Sequence, residues 1–232
     1  NILLLGVDDF AANGFRTDVI MLLSLNPKHN SISLVSFPRD LYVTIPGYWS
    51  NRINTVWGLG GFELLADTFE VNFGIHPQYY MMVNYNGFRD VVNSLDGIDV
   101  VVTQELQDSC GRDASGWCII KPGTVHMDGD MALWYSRSRL TSSDFDRNRR
   151  AQEVVKAIFT KAMNLNMLPK VPELYGLYRE YIDTNVQLLD ILPYLPLASE
   201  VMKTGNINQY AVGPEVVSNW ITAEGAMVLI PN

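Results

Sequence analysis

Three short apolar runs near the start of the chain, Leu3 to Val7, Val19 to Leu25 and Ile32 to Phe37, are bounded by polar and turn residues and read as strands. Asn26-Pro27-Lys28-His29-Asn30 is turn chemistry, so the second and third should pair as an antiparallel hairpin. With that turn centred near Lys28, Asp18 falls opposite Pro38 and Arg39. The link between the first and second strands is also short, which favours antiparallel neighbours and brings Asp8 to the same sheet end. Asp8, Arg16, Asp18, Arg39 and Asp40 are therefore expected to converge.

Farther on, an amphipathic helix is expected over about Phe62 to Phe73, after Gly58-Leu59-Gly60-Gly61. Two readings of the glycines stand: a backbone anion nest, or a simple lead-in to the helix. A strand follows at Tyr79 to Val83, a helix at Gly87 to Leu95 and a strand at Asp99 to Thr103. Asp128 can cap a short helix carrying Ala132 and Leu133, and an extended exit from it would point Arg137 and Arg139 the same way. Helices are also expected around Glu173 to Tyr181 and Asn185 to Met202, with a final strand near Ile207 to Val212. Helices alternate with strands throughout, which predicts an α/β chain whose sheet is covered on both faces. No repeat, low-complexity tract or linker-like run divides residues 1–232, so a single domain is expected.

One more helix is predicted where the charge is unusual. The stretch from Tyr135 to Gln152 holds five arginines against two aspartates in a protein of formal charge −8. Crowded guanidinium groups repel, by several kcal/mol per pair at contact distance for an effective dielectric constant of about 20, so an anion is expected among them. Arginine's planar fork matches phosphate two bonds at a time. The alternative is a solvated, charged helix start. Ser142 or Ser143 can cap this helix, whose apolar stripe is Ala151, Val154, Val155, Ile158 and Ala162. At about 100° per residue, Asp144 and Arg147 project from the stripe side and Arg150 and Gln152 from its flanks. Arg149 points away. Inward charges at a helix N-terminus, where backbone N–H groups also favour anions, favour a binding site.

The acidic balance argues against nucleic acid, which would want a basic face larger than one cluster. No apolar run approaches the ~18 residues of a membrane span, so any membrane tether is expected in a segment absent from this chain. Cys110 and Cys118 sit in a polar, Gly-containing loop; they read either as a disulfide of an oxidising compartment or as two free thiols. His29, His76 and His126 are scattered, and no His-Glu-x-x-His, P-loop or Gly-x-Ser-x-Gly is present, which leaves a zinc or serine hydrolase poorly supported. Arginines and carboxylates together suggest a phosphate or pyrophosphate held by arginines, with Asp8 or Asp18 holding Mg²⁺.

Several motifs, in order, resemble the LytR-CpsA-Psr cell-wall ligases: Leu5-Gly6-Val7-Asp8, Arg16-Thr17-Asp18, Ser33 to Asp40, Arg52-Ile53-Asn54, Leu133 to Arg139, and Asp144 to Gln152. The resemblance runs from about Leu3 to Ile158. It implies an α-β-α sandwich, here with a mixed, largely antiparallel central sheet, on the extracytoplasmic face of the membrane in the cell wall. It implies a Mg²⁺-dependent phosphotransferase that moves a glycopolymer from a polyprenyl-pyrophosphate carrier onto a peptidoglycan acceptor. By motif position, Asp8 and Asp18 would be the metal-side carboxylates, and Arg39, Arg137, Arg139, Arg147 and Arg150 would bind pyrophosphate. Asp144 would orient arginines at the helix start. Arg16, Asp40, Arg52 and Gln152 complete the expected substrate-binding set. Two departures stand out: Ala151 where the family commonly has Gln, and Arg52 where it commonly has Lys. A prenyl tail would need an apolar tunnel, and Leu64, Leu65, Phe69, Phe73, Met81, Met82, Val83, Phe88 and Val92 serve equally as tunnel lining or as core. A polyprenyl-pyrophosphate hydrolase and a non-catalytic module that binds phosphorylated lipid are the rival readings.

Overall fold

The computed structural model describes residues 1–8, 16–111, 115–140, 143–164 and 171–232. In chain order, β1 (Ile2–Val7), β2 (Thr17–Asn26) and β3 (Ser31–Phe37) come first, then the two-residue strands β4 (Tyr42–Val43) and β5 (Asn51–Arg52). Next are α1 (Val56–Phe73), β6 (Tyr79–Val83), α2 (Tyr85–Ser94) and β7 (Ile98–Val102). Strands β8 (Leu106–Ser109), β9 (Trp117–Ile120) and β10 (Gly123–Met127) precede α3 (Gly129–Arg137), α4 (Asp144–Asn164) and α5 (Val171–Tyr181). The chain closes with β11 (Ile182–Thr184), α6 (Leu188–Ile191), α7 (Leu195–Thr204), β12 (Ile207–Ala211), β13 (Val217–Ile221) and β14 (Met227–Pro231).

The chain forms two compact units, one made of Asn1–Tyr85 with Ile182–Asn232, the other of Asn86–Tyr181. The first holds a six-stranded sheet in the order β11-β6-β1-β2-β3-β12. The pairs β11–β6, β1–β2 and β2–β3 are antiparallel, while β1–β6 and β3–β12 are parallel. This is the mixed, largely antiparallel sheet of an α/β fold. Short links make the β1–β2 and β2–β3 pairs, whereas β11–β6 and the two parallel pairs form only after connections long enough to carry helices. The β2–β3 hairpin has the expected register, Ile20 opposite Phe37, which places Asp18 beside Arg39 two residues beyond.

Burial on the sheet is led by Leu3, Leu5, Val7, Ile20, Met21 and Leu22, together with Leu65 and Phe69 of α1. Phe37 of β3 meets Phe69 and Phe73 of α1 with ring centroids 4.9 Å apart. Leu65, Phe69 and Met82 are thus filled core. The glycines before them do more than lead into a helix. Helical structure begins at Val56, and Gly60 and Gly61 break it: Gly61 has φ +65°, a conformation side chains other than glycine's rarely adopt.

In the second unit Val92, Ile98, Val100, Met127, Ala132, Tyr135 and Val154 form one buried cluster, where β7 pairs with β10 and α4 carries its stripe. Asp128 caps α3 as expected, accepting from the Met131 amide at 2.8 Å. The exit differs from expectation. Arg137 is still helical, as the last residue of α3, so it and Arg139 do not share an extended segment. The region read as a loop around the cysteines is the hairpin β8–β9, closed by a Cys110–Cys118 disulfide. Closing so short a loop contributes roughly 2.5 kcal/mol by chain entropy. Replacing both cysteines by serine should lower the stability read by urea denaturation by about that amount; a loss under 0.5 kcal/mol would show the hairpin holds itself. The expected long helix at Asn185 to Met202 is split into α6 and α7 around Pro193 and Pro196, and β12 is followed by a further hairpin, β13–β14.

Candidate functional site

Each unit carries part of the expected residue set. In the first, the end of β1 and the start of β2 present Asp8 and Asp18. Tyr85 donates its hydroxyl to Asp8 Oδ1, and Arg39 Nη1 donates to Asp18 Oδ1 at 2.7 Å. Arg39 Nε also lies 3.5 Å from Asp40, and Asp40 lies 3.3 Å from Arg52 Nε. Asp18, Arg39, Asp40 and Arg52 therefore form an alternating chain of charges, each about three-quarters buried. Arg52 also donates through Nε and Nη2 to the Met227 carbonyl, fixing the C-terminal hairpin to β5. Arg16 is exposed, just ahead of β2. The contacts to Asp8 and Asp18 both engage Oδ1, which leaves the Oδ2 atoms as hard oxygen donors of the kind Mg²⁺ takes.

In the second unit, Asp144 opens α4 and stands between two guanidinium groups, 3.6 Å from Arg139 Nε and 3.6 Å from Arg147 Nη1. Ser143 caps the helix: its hydroxyl accepts from the Asp146 amide at 3.1 Å, and the Asp146 carboxylate accepts from the Ser143 amide. The Ser143 hydroxyl, donating to the Asp146 carboxylate at 2.7 Å, and then the Ser143 amide hold the Asp146 carboxyl below its ordinary range. Ser142, the other candidate cap, lies outside the described residues. The helical phase places Arg147 and Arg150 inward as expected, 5% and 2% exposed. Arg149 is partly exposed and pairs with Glu153 at 2.6 Å.

These two buried arginines are held differently. Arg150 donates through Nε to the Tyr135 carbonyl at 2.9 Å and through Nη2 to the Ser138 carbonyl, so it binds the turn carrying Arg137 and Arg139. Burial pushes its pKa down. Gln152 is likewise buried. Arg147, by contrast, has Nε and Nη2 buried with no hydrogen-bond partner among the described residues. Buried N–H groups in that state carry the full cost of desolvation, so this is where the site favours an anion.

Asp108 is a further residue of this site that no motif or periodicity in the sequence marks. Partial burial alone would raise its pKa, but bonds from the Ser138 hydroxyl and the amides of Leu140, Arg139 and Ser109 outweigh that and hold it at about 2. The Arg139 and Leu140 amides reach Asp108 Oδ2 at 2.8 and 3.1 Å. One carboxylate on the disulfide hairpin thus clamps the same arginine-bearing turn whose carbonyls Arg150 holds. An aspartate with a depressed folded pKa stabilises above its unfolded value of about 3.9 and loses that contribution as pH falls toward its folded value. The stability gap between the wild type and Asp108→Asn should therefore be full at pH 5 and shrink between pH 4 and 2. A gap that stays constant across that range would contradict the clamp. Tyr85, the partner of Asp8, likewise lies in a segment with no charge pattern to mark it.

The LytR_cpsA_psr family model matches residues 1–228. Regulatory protein MsrR of Staphylococcus aureus (strain COL) is 33% identical over 189 residues, covering 80% of this chain and 56% of MsrR. The chain thus spans little more than half the length of that relative. The polyisoprenyl-teichoic acid–peptidoglycan teichoic acid transferase TagT of Bacillus subtilis (strain 168) is 30% identical over 213 residues, 89% of this chain and 66% of TagT. The solved structure of TagT bound to LIIa-WTA superposes with a TM-score of 0.78 at 28% identity, over all of this chain and 84% of that one.

Proposed function

The chain belongs to the LytR-CpsA-Psr family, and from that premise we propose that it is a phosphotransferase attaching a glycopolymer from a polyprenyl-pyrophosphate carrier to peptidoglycan. The observation that carries this reading is Arg147, a buried guanidinium whose Nε and Nη2 have no hydrogen-bond partner among the described residues, and which shares Asp144 with Arg139. A pyrophosphate supplies the acceptors those atoms lack, and Arg137, Arg139 and Arg147 bind it. Arg39 adds positive charge beside Asp18.

In the reaction, an acceptor sugar hydroxyl forms a new bond to the phosphorus that carries the glycopolymer. The bond from that phosphorus to the bridging oxygen breaks, and prenyl phosphate leaves with the electron pair. Asp18 or Asp40 positions the hydroxyl, and Asp40, which holds no metal in this scheme, receives its proton. Asp8 and Asp18 would hold Mg²⁺, which supplies charge stabilisation for the leaving phosphate. The fixed arginines oppose the charge that gathers on the phosphates without having to reorganise. The disulfide fits action outside the cytoplasm, where such bonds persist. We also infer a membrane-tethered setting; no described helix is itself long and apolar enough to cross a membrane.

The test is to incubate the protein with a lipid-linked glycopolymer, with and without peptidoglycan fragments, with Mg²⁺ or with EDTA. The expected result is acceptor-dependent coupling that needs the metal. Release of prenyl phosphate at a rate indifferent to acceptor would assign a hydrolase instead. Tight lipid binding without turnover would assign a binding module.

A further inference from the structure

We propose that a cavity of about 380 Å³ in the second unit is a saccharide subsite. It is lined by Arg89, Asp108, Asp130, Trp134, Arg137 and Ser138, among others. Its volume falls within the roughly 300–1,000 Å³ of small-molecule sites. The lining selects the ligand class. A prenyl chain would strip water from four charged groups and give no hydrogen bond in return. A diphosphate would face two carboxylates. A neutral polyol suits both signs at once, because each hydroxyl donates to a carboxylate or accepts from a guanidinium, and its C–H face packs on an indole.

The walls are fixed before any ligand arrives. The Trp134 indole N–H donates to the Ser109 carbonyl at 2.8 Å, and Asp130 pairs with Arg89 Nε at 2.8 Å. Arg89 Nη1 is held in turn by Asn86 Oδ1 at 2.9 Å. Asp108 receives the Ser138 hydroxyl, and the Cys110–Cys118 disulfide closes the hairpin that carries Asp108. Such preorganisation lowers the ordering cost of binding. The identity of the sugar rests on the proposed function. Arg137 both lines the cavity and is assigned to the pyrophosphate, so the cavity takes a sugar ring next to the reacting phosphate, from either the donor glycopolymer or the acceptor glycan.

The test compares wild type with an Arg89→Met/Asp130→Asn variant. That pair is substantially exposed, with side chains 38% and 68% accessible, so the variant should fold, as circular dichroism will check. Should the double variant misfold, Asp130→Asn alone carries the comparison. Chitobiose is the probe, read by saturation-transfer NMR and by titration. Wild type should bind it and show saturation passing from aromatic protein protons to the sugar's C–H protons, with affinity reduced about tenfold or more in the variant. In steady-state transfer, KM should rise about tenfold for one sugar substrate while kcat changes less than about threefold. A raised KM for the lipid-linked donor assigns the donor ring, and a raised KM for the peptidoglycan fragment assigns the acceptor. No chitobiose binding by wild type, or equal binding by the variant, overturns the subsite. A wild type that binds chitobiose but transfers nothing would keep the subsite and sink the proposed function.

Discussion

Replacing Arg147 by methionine is expected to reduce glycopolymer transfer by about a hundred- to a thousandfold, the usual effect of losing one fixed donor to a developing charge, while the protein stays at least as stable as wild type. The two halves of this expectation come from one fact. Arg147 is almost fully buried, yet Nε and Nη2 meet no acceptor among the described residues, and its nearest carboxylate oxygen, on Asp144, is 3.6 Å from Nη1. A guanidinium in that state has been desolvated without compensation, so taking it away forfeits little of the folded protein's stability. Methionine keeps the apolar stem that fills the space. If the proposed pyrophosphate is what gains most from the charge, binding and transfer should register its loss far more than stability does. Transfer within threefold of wild type would remove Arg147 from the site. A stability loss above about 2 kcal/mol would mean that the guanidinium serves the fold.

Arg147 was legible in the sequence because helical phase carries inwardness: it lies four residues before Ala151 and seven before Val154, which are both buried. Asp18 and Arg39 were legible for a similar reason, since a tight turn at Lys28 fixes which residues of two strands face each other. Where the signal depended on partners distant in sequence, it failed. Asp108 looks like one acid in a polar loop, and its importance lies in donors about thirty residues away. The strand β9 was hidden because Trp117 and Ile119, on its outer face, are apolar and exposed, which erases the alternation that marks a half-buried strand. The same holds for β13 and β14, where Trp220, Ile221 and Met227 are all exposed. Pro193 and Pro196 were visible, but the apolar period around them outweighed the interruption they impose. No pattern of types separates Arg150 from Arg147. Both are inward cations on one helix, and only the backbone carbonyls that meet Arg150 tell them apart.

That difference leads to an opposite outcome for the second arginine. Arg150→Met should destabilise the protein by about 3 kcal/mol, because the Tyr135 and Ser138 carbonyls would each be left buried without a donor, at about 1–3 kcal/mol apiece. Against a typical stability of 5–15 kcal/mol, that is a large share, and urea denaturation will read it directly. The guanidinium also lies over the Tyr135 ring, 5.9 Å from its centroid, a contact methionine cannot reproduce. Lysine should recover only part of the loss, since one ammonium cannot span the two carbonyls as the planar fork does. Transfer should fall too, through the turn holding Arg137 and Arg139, and that loss should shrink on cooling or with a stabilising osmolyte, which the Arg147→Met defect should not do. If Arg150→Met instead matched the wild type in stability and lost transfer outright, the carbonyl contacts would be incidental and Arg150 would belong with the phosphate-binding arginines after all.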